Sequence, residues 1–352
     1  WFDGTATSGR TLEALVWFFQ ATGEDRVLAL AARVAEHHLA HSVDRSGAVR
    51  TEILDPENVG HDHSYHGTLR GLLLYGLLTG QRRFVDAVEA TYRHGVRGKI
   101  VTWSGWAPHD LGKMRFSNAQ GDPVADPASA GDSAQLALWL ALYAGCTDLF
   151  DDVERLVRAR LLPIQLTPDE VVLHADRTFA PREIGAWPIH AACHAGKGCT
   201  PDVLAAVTHS LCDIQCHIYA RTEVGLRVDL HFDYHDADLA IVSRRGQRAE
   251  VAVTLFRPDR LLIRLPGWAQ DESVTLEIDG TPESIKRLGA YVWIEHDRLL
   301  PGSRVVLTYD LPERTIEEHM PSGRVYTFHW RGDEIMGISP QEEESMPFYS
   351  TL

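Results

Sequence analysis

Between residues 11 and 161, apolar positions recur at helical spacing in three stretches that superimpose without a gap: TLEALVWFFQATGEDRVLALAARVAEHHL (11–39), TLRGLLLYGLLTGQRRFVDAVEATYRHGV (68–96) and SAQLALWLALYAGCTDLFDDVERLVRARL (133–161). Leu12, Leu15, Val16 and Phe19 fall on one face, as do Leu69, Leu72 and Leu73, and such a stripe specifies an amphipathic helix. Twelve residues into each stretch stands a glycine, Gly23, Gly80 or Gly145. A glycine there takes the left-handed backbone that ends a helix, so each stretch reads as two helices joined in an αα-hairpin. Roughly 30 residues lie between hairpins, too many for simple connectors. A seventh helix is expected over 201–218, with Pro201 suited to its first turn. Hairpins that each bury one face against the next build a curved array or a closed toroid.

From about Tyr219 the period changes. GLRVDLHFDY, AEVAVTLF, RLLIRLPGW, SVTLEIDG, AYVWIEH, RVVLTYDL and RVYTFHW are short runs of alternating polarity rich in β-branched and aromatic residues, separated by turn sequences. Strands at this spacing predict an antiparallel sandwich. The fold class expected is therefore α+β and multidomain: a helical-hairpin toroid, complete or partial, over 1–218, then a β-sandwich over 219–352.

Composition narrows the function. The chain has 352 residues, 44% of them hydrophobic, enough to bury a large core. A formal charge of −15 without any offsetting basic run argues against nucleic acid or an anionic membrane as partner. A small neutral or cationic ligand fits better. No apolar run approaches the roughly 20 residues that span a bilayer, and no leader opens the chain, so a cytoplasmic location is expected. The five cysteines are too few and too scattered for a disulfide scaffold. Cys212 and Cys216 share a helical face and are expected as buried thiols. Because the first residue is Trp1 rather than Met, a fragment or a processed chain is expected.

Three pieces of sequence carry a resemblance to one family. RLLIRLPGWAQDESVTLEIDG with GAYVWIEHDRLLPGSRVVLTYDLP, GHDHSYHGTLRGLLLYGLLTGQRRFVDAVE, and GCTPDVLAAV together resemble glycoside hydrolase family 127, the β-L-arabinofuranosidase relatives. The resemblance implies an (α/α)6 barrel with a sandwich, acting on glycosides. It also implies a zinc ion held by one Glu and three Cys, one of them the nucleophile. Such a barrel has more helices than the seven counted here; the others are expected ahead of Trp1 or from a second chain, which leaves a homodimer open, or the chain is a trimmed relative without a closed pocket. Carried over by position, the family's Glu-x-Cys falls on Gly131-Asp132-Ser133 and its Cys-Cys on Gly198-Cys199, or, at an offset, on Cys193 and His194. At most part of the zinc site remains, with Cys193 and Cys199 as its candidate ligands.

In a toroid the parallel inner helices gather their N-termini at one mouth, where their dipoles favour negative charge or an electron-rich atom. Candidate residues are those that enter these helices. His61, His63 and His66 read as sugar contacts, as a chelating set or as residues flanking a Ser64 cap; the resemblance places His61 on a histidine that touches sugar. Hydrolysis without zinc needs two carboxyl groups of divergent pKa, and Asp132, Asp110 and Glu183 are the candidates. Asp132 reads equally well as a helix cap. Trp103, Trp106 and Trp187 suit stacking against a sugar ring or packing in the core. Cys199, at a helix N-terminus, is the candidate activated thiol. HAGKGCT lacks the first glycine of a phosphate loop and places Lys197 ahead of the second, which excludes nucleotide binding on that motif.

The expected function is hydrolysis of glycosidic bonds, with a small carbohydrate as partner and neither nucleic acid nor membrane. A noncatalytic carbohydrate-binding relative with a degraded zinc site is the alternative. A polysaccharide lyase using Tyr65 or a histidine as base is the second.

Overall fold

A left-handed glycine ends both of the first two inner helices, as the repeat predicts: Gly23 (φ 70°) follows α1 (Thr11–Thr22) and Gly80 (φ 66°) follows α3 (Asp62–Thr79). The computed structural model describes residues 8–44, 46–47, 49, 51–55, 57, 59–113, 121, 124–168, 183–188 and 199–340. Among them, α2 (Asp25–His41), α4 (Arg82–Thr91, continued by a π turn to Val96), α5 (Pro127–Tyr143), α6 (Phe150–Leu156, continued by a π turn to Leu161) and α7 (Pro201–Cys216) complete seven helices. None is long and apolar enough to cross a membrane.

The hairpins pair α1 with α2, α3 with α4 and α5 with α6, while α3 packs on both α1 and α5, and α5 on α7. Helices α3 and α5 are buried nearly all round, which is why they lack a polar stripe, whereas α2 buries only Ala31, Ala35 and His38. Close approach sets the composition of this inner row. A Cβ on Gly71 would stand 2.9 Å from Leu12 Cβ, so any larger residue would push α3 off α1. At the ends of the row, the Trp17 ring of α1 meets the His209 ring of α7 at 6.3 Å. The described helices thus form a row of hairpins.

Two inner helices begin earlier than the repeat predicts. Helix α3 starts at Asp62, so His63 and His66 lie inside its first turns, and no side chain, Ser64 included, caps it. Helix α5 starts at Pro127, capped by Asp126, whose Oδ1 accepts the Ala128 N–H at 2.9 Å. Asp132 is therefore in the second turn and caps nothing. Cys212 and Cys216 are exposed, contrary to expectation, because the buried face of α7 runs through Val203, Val207, Ser210 and Ile214.

Strands β1 (Val59–His61) and β2 (Asp110–Gly112) form a small ribbon inserted among the helices. The remaining strands follow α7: β3 (Tyr219–Thr222), β4 (Gly225–Val228), β5 (Tyr234–His235), β6 (Leu239–Arg245), β7 (Arg248–Leu255), β8 (Leu261–Arg264), β9 (Thr275–Ile278), β10 (Thr281–Glu283), β11 (Arg287–Leu288), β12 (Tyr291–Ile294), β13 (Arg304–Asp310), β14 (Glu313–His319), β15 (Val325–Arg331) and β16 (Glu334–Ser339). They make a six-stranded sheet ordered β10-β9-β13-β7-β6-β5, a five-stranded sheet β11-β12-β8-β4-β3 and a three-stranded meander β14-β15-β16. Pairing is antiparallel except between β4 and β8.

Helices and strands meet through buried charge. Arg264, at the end of β8, donates from Nη2 to Glu154 Oε2 at 2.7 Å, from Nε to the Asp229 carbonyl at 2.6 Å, and also to Asp151. The Gly267 N–H gives a further bond to Asp151 at 2.8 Å, and the Trp268 ring lies 5.7 Å from that of Tyr309. Pro266-Gly267-Trp268, the most specific part of the family resemblance, is thus the joint between helices and sheets. Glu154 also accepts the His231 backbone N–H, and Ser104 donates twice to Glu318 of β14, from N at 2.6 Å and from Oγ at 2.8 Å.

Candidate active site at the mouth of the inner helices

The starts of the inner helices converge. Arg10, just ahead of α1, donates to Ser64 Oγ in α3 at 3.3 Å; His63 of α3 binds Asp132 of α5; and the charge of Asp202, in the first turn of α7, feels His63. A chain of ionic groups runs inward from there. Asp132 accepts the His63 ring through Oδ2 and the Arg70 guanidinium through Oδ1, and Arg70 Nε donates to Glu13 Oε2 of α1 at 3.2 Å. Arg70, Asp132 and Glu13 are buried; His63 keeps 23% of its side chain exposed and is the open end of the chain.

Burial works to raise the Asp132 carboxyl pKa, but Arg70 and His63 outweigh it and hold the group well below the usual carboxylate range. With both oxygens engaged and the charge fixed, Asp132 has no proton to give. It positions His63. An ionised carboxylate only accepts, so His63 Nδ1 carries a proton and Nε2 is the nitrogen left for other contacts. His63 is itself raised in pKa, since Asp132 overcomes the cost of burial. His66, by contrast, is fully buried, with Nδ1 3.1 Å from both the carbonyl and the carboxylate of Asp62. It is a core pair and offers no face to a sugar.

A second group sits beside the dyad. The His61 ring lies 5.7 Å from that of His63 and 4.7 Å from that of His109, and its Nε2 is 3.7 Å from Asp126 Oδ2. His109 Nδ1 stands 3.0 Å from Asp110 Oδ1. Backbone bonds fix all three: His61 pairs with Asp110 across β1 and β2, the His109 N–H reaches the Val124 carbonyl at 2.7 Å, and the Asp126 N–H reaches the Ala107 carbonyl at 2.9 Å. Asp110 is only 3% exposed and is turned toward His109.

The remaining candidates lie elsewhere. Trp106 and Trp187 are each 5% exposed, and the Trp187 indole N–H donates to the Leu161 carbonyl at 2.7 Å, so both are core side chains rather than sugar platforms. Trp103 is exposed, but the Arg97 and Arg155 guanidiniums lie 5.3 and 5.0 Å from its ring. Tyr65 is buried and donates to the Ser42 carbonyl at 2.9 Å, which removes it as a base. Burial and the charge of Glu183 push the Cys199 thiol up to about 12, the reverse of an activated thiolate. Cys193 and His194 lie outside the described residues.

Asp126, His109, Arg70 and Glu13 were not singled out by the sequence reading. Asp126-Pro127 is a recognisable helix start. Glu13 and Arg70 interrupt otherwise apolar helical faces, as a buried pair must. His109 carries no signal until the chain is folded.

No family model and no curated protein matches the sequence. Solved structures do. A glycoside hydrolase matches with TM-score 0.59 at 18% identity, over 92% of this chain and 59% of its own. A GH127 β-L-arabinofuranosidase from Geobacillus stearothermophilus T6 matches with TM-score 0.55 at 15% identity, over 92% of this chain and 57% of its own. A GH127 β-arabinofuranosidase matches with TM-score 0.61 at 14% identity, over 92% and 55%. This is the GH127 fold. The chain spans less than two thirds of the length of the structures it matches.

Of the zinc-cysteine set that the resemblance implies, the Glu and one Cys have no counterpart, since Gly131 and Ser133 stand at those positions. A Cβ on Gly131 would stand 3.2 Å from Ser210 Oγ of α7, so any side chain there would have to displace that hydroxyl. Ser133, where the resemblance implies a Cys, is buried, and the Cys199 thiol holds its proton.

Proposed function

We propose that the protein is a divergent GH127-like glycoside hydrolase that takes a small carbohydrate at the mouth of the inner helices, with the helical part (1–218) and a β-sandwich (219–352) as its two domains. The reading rests on the fold together with one observation, the His63 ring held by Asp132 at the open end of a buried ionic chain. Glycoside hydrolysis needs a group that protonates the leaving oxygen and a second group or water that attacks the anomeric carbon. His63, with Nδ1 fixed by Asp132, presents Nε2 toward the mouth and serves as the proton-transferring group. Asp132 is a positioning residue, in the manner of the carboxylate that orients a catalytic imidazole. Arg70 and Glu13 hold Asp132 in turn.

The test is release of sugar from a panel of aryl glycosides and oligosaccharides that includes arabinofuranosides. Turnover that falls by about 10²–10⁴ in His63→Gln, the usual size of a general acid–base contribution, supports the reading. Turnover indifferent to His63 overturns the assignment. The loss of Glu-x-Cys chemistry at Gly131 and Ser133 favours a second reading, a relative that binds carbohydrate without cleaving it; binding of oligosaccharide with no release from any member of the panel would establish that.

A further inference from the structure

His61, His109 and Asp126 place one ligand atom each within 4.8 Å of the others, close to the mouth but outside the positions of the GH127 zinc set. We propose that these three residues bind a divalent cation of the zinc class, with a position left open for water. The argument is one of preorganisation. Metal-ligating histidines almost always donate the second ring N–H to an oxygen, which fixes the tautomer and the ring plane. Both histidines have that partner. His109 Nδ1 lies against Asp110 Oδ1 at 3.0 Å, and a carboxylate only accepts, so Nδ1 carries the proton and Nε2 the lone pair that a metal requires. His61 Nδ1 lies 2.9 Å from Ser64 Oγ; that oxygen already accepts from Arg10, and its second lone pair takes the Nδ1 proton once Nε2 is ligated.

The frame is rigid. The three ligands come from β1, from the residue preceding β2 and from the segment that enters α5, and these segments are cross-linked by the His61–Asp110 pair, the Pro108–Ala125 bridge and the Asp126 N–H bond to Ala107. Asp126 is buried and spends Oδ1 on the Ala128 N–H, leaving Oδ2 beside His61. Zinc–nitrogen bonds of about 2.0 Å set neighbouring ligands roughly 3.3 Å apart, so small side-chain rotations close the cluster. Two imidazoles and one carboxylate suit zinc, and three protein ligands plus water is the composition of an open zinc site rather than a structural one.

The site adjoins His63 but the proposal does not depend on the glycoside reading, and its test does not use turnover. The full chain in a Cys212→Ser/Cys216→Ser background, which removes the exposed thiols, is titrated with zinc chloride by calorimetry and with cobalt chloride by visible absorption. A single equivalent of each is expected, with cobalt showing the ligand-field bands of a four- or five-coordinate ion. His109→Ala and Asp126→Asn should each weaken binding at least tenfold, the loss that even outer-shell partners produce. Asn still caps α5, so Asp126→Asn separates loss of the ion from loss of the helix start. His63→Ala should leave binding intact. Zinc that fails to bind, or an equivalent that survives in both variants, overturns the site. A chain that binds zinc here and cleaves no glycoside counts against the proposed hydrolase alone.

Discussion

Arg70 is the residue whose removal should cost most for its size. It stands between Glu13 and Asp132 with all three side chains less than a tenth exposed, so Arg70→Met replaces a guanidinium by an apolar chain of similar reach, takes the cation from two buried carboxylates and leaves Asp132 with His63. Breaking one side of a buried ion pair costs about 3–5 kcal/mol, because the charge left behind keeps its desolvation penalty without its partner. In a domain of this size each kcal/mol moves Tm by roughly 2–4 °C, so the variant should unfold on the order of 10 °C earlier. The internal control is Arg82, whose pair with Asp86 is more than half exposed on both sides. Arg82→Met should shift Tm by little, since exposed pairs contribute about 0–1 kcal/mol. Adding Glu13→Gln and Asp132→Asn to Arg70→Met removes the stranded charges and should recover part of the loss. If thermal unfolding shows Arg70→Met no worse than Arg82→Met, the ionic chain is not the support of the mouth and its role in holding His63 falls with it.

Acid should destabilise the joint between helices and sheets. Burial pushes His231 down to about 3, so below its unfolded pKa of about 6.5 the unfolded chain takes up a proton that the folded one does not; stability is lost as pH falls from about 6.5 to about 3, by up to about 5 kcal/mol. Urea unfolding followed across that window should show a slope that flattens in His231→Gln, and an unchanged slope would refute the assignment. At the same joint, Glu154→Gln leaves the buried Arg264 with a neutral partner and should lower the urea midpoint at pH 7 by an amount close to that of Arg70→Met; a midpoint within error of the parent would show that Asp151 alone holds Arg264. Alkylation at pH 8 should label Cys212 and Cys216 well before Cys199, and Glu183→Gln should speed Cys199, since that charge helps keep its thiol protonated; a Cys199 that reacts first would restore the activated-thiol reading.

What could be read from the sequence was whatever has a local cause. The hairpins are legible because a 3.6-residue stripe and a left-handed glycine operate within a dozen residues, and the change to strands at Tyr219 is legible as a change of period. The start of α5 is not, because an inner helix buried all round needs small residues more than a stripe: Ala128, Ala130 and Gly131 pack without announcing a helix, so the repeat places its beginning at Ser133. That six-residue difference turns Asp132 from a cap into the anchor of His63 and passes the cap to Asp126. The His63–Asp132 bond joins residues 69 apart, and His109 meets His61 only through the β1–β2 ribbon. No periodicity reaches across such distances.

Motif strength and chemistry also come apart here for a physical reason. Pro266-Gly267-Trp268 is the sharpest family signal, and what it does is dock: the Gly267 amide and Arg264 hold Asp151 and Glu154, while Trp268 packs toward Tyr309. A joint made of buried charge tolerates little change, because each group that moves leaves another unpaired in a low-dielectric setting. The mouth is under a different constraint. Its imidazoles are partly exposed, and Asp132 and Asp110 hold the inner nitrogens of His63 and His109 while the outer nitrogens need no fixed protein partner to keep the rings in place. A fold whose scaffold is pinned at the joint can therefore vary at positions such as Gly131 and Ser133 and still present histidines, aimed by carboxylates, at its mouth. The carboxylates that hold the histidine rings, Asp132 on His63 and Asp110 on His109, are therefore the feature of this mouth that its geometry depends on most.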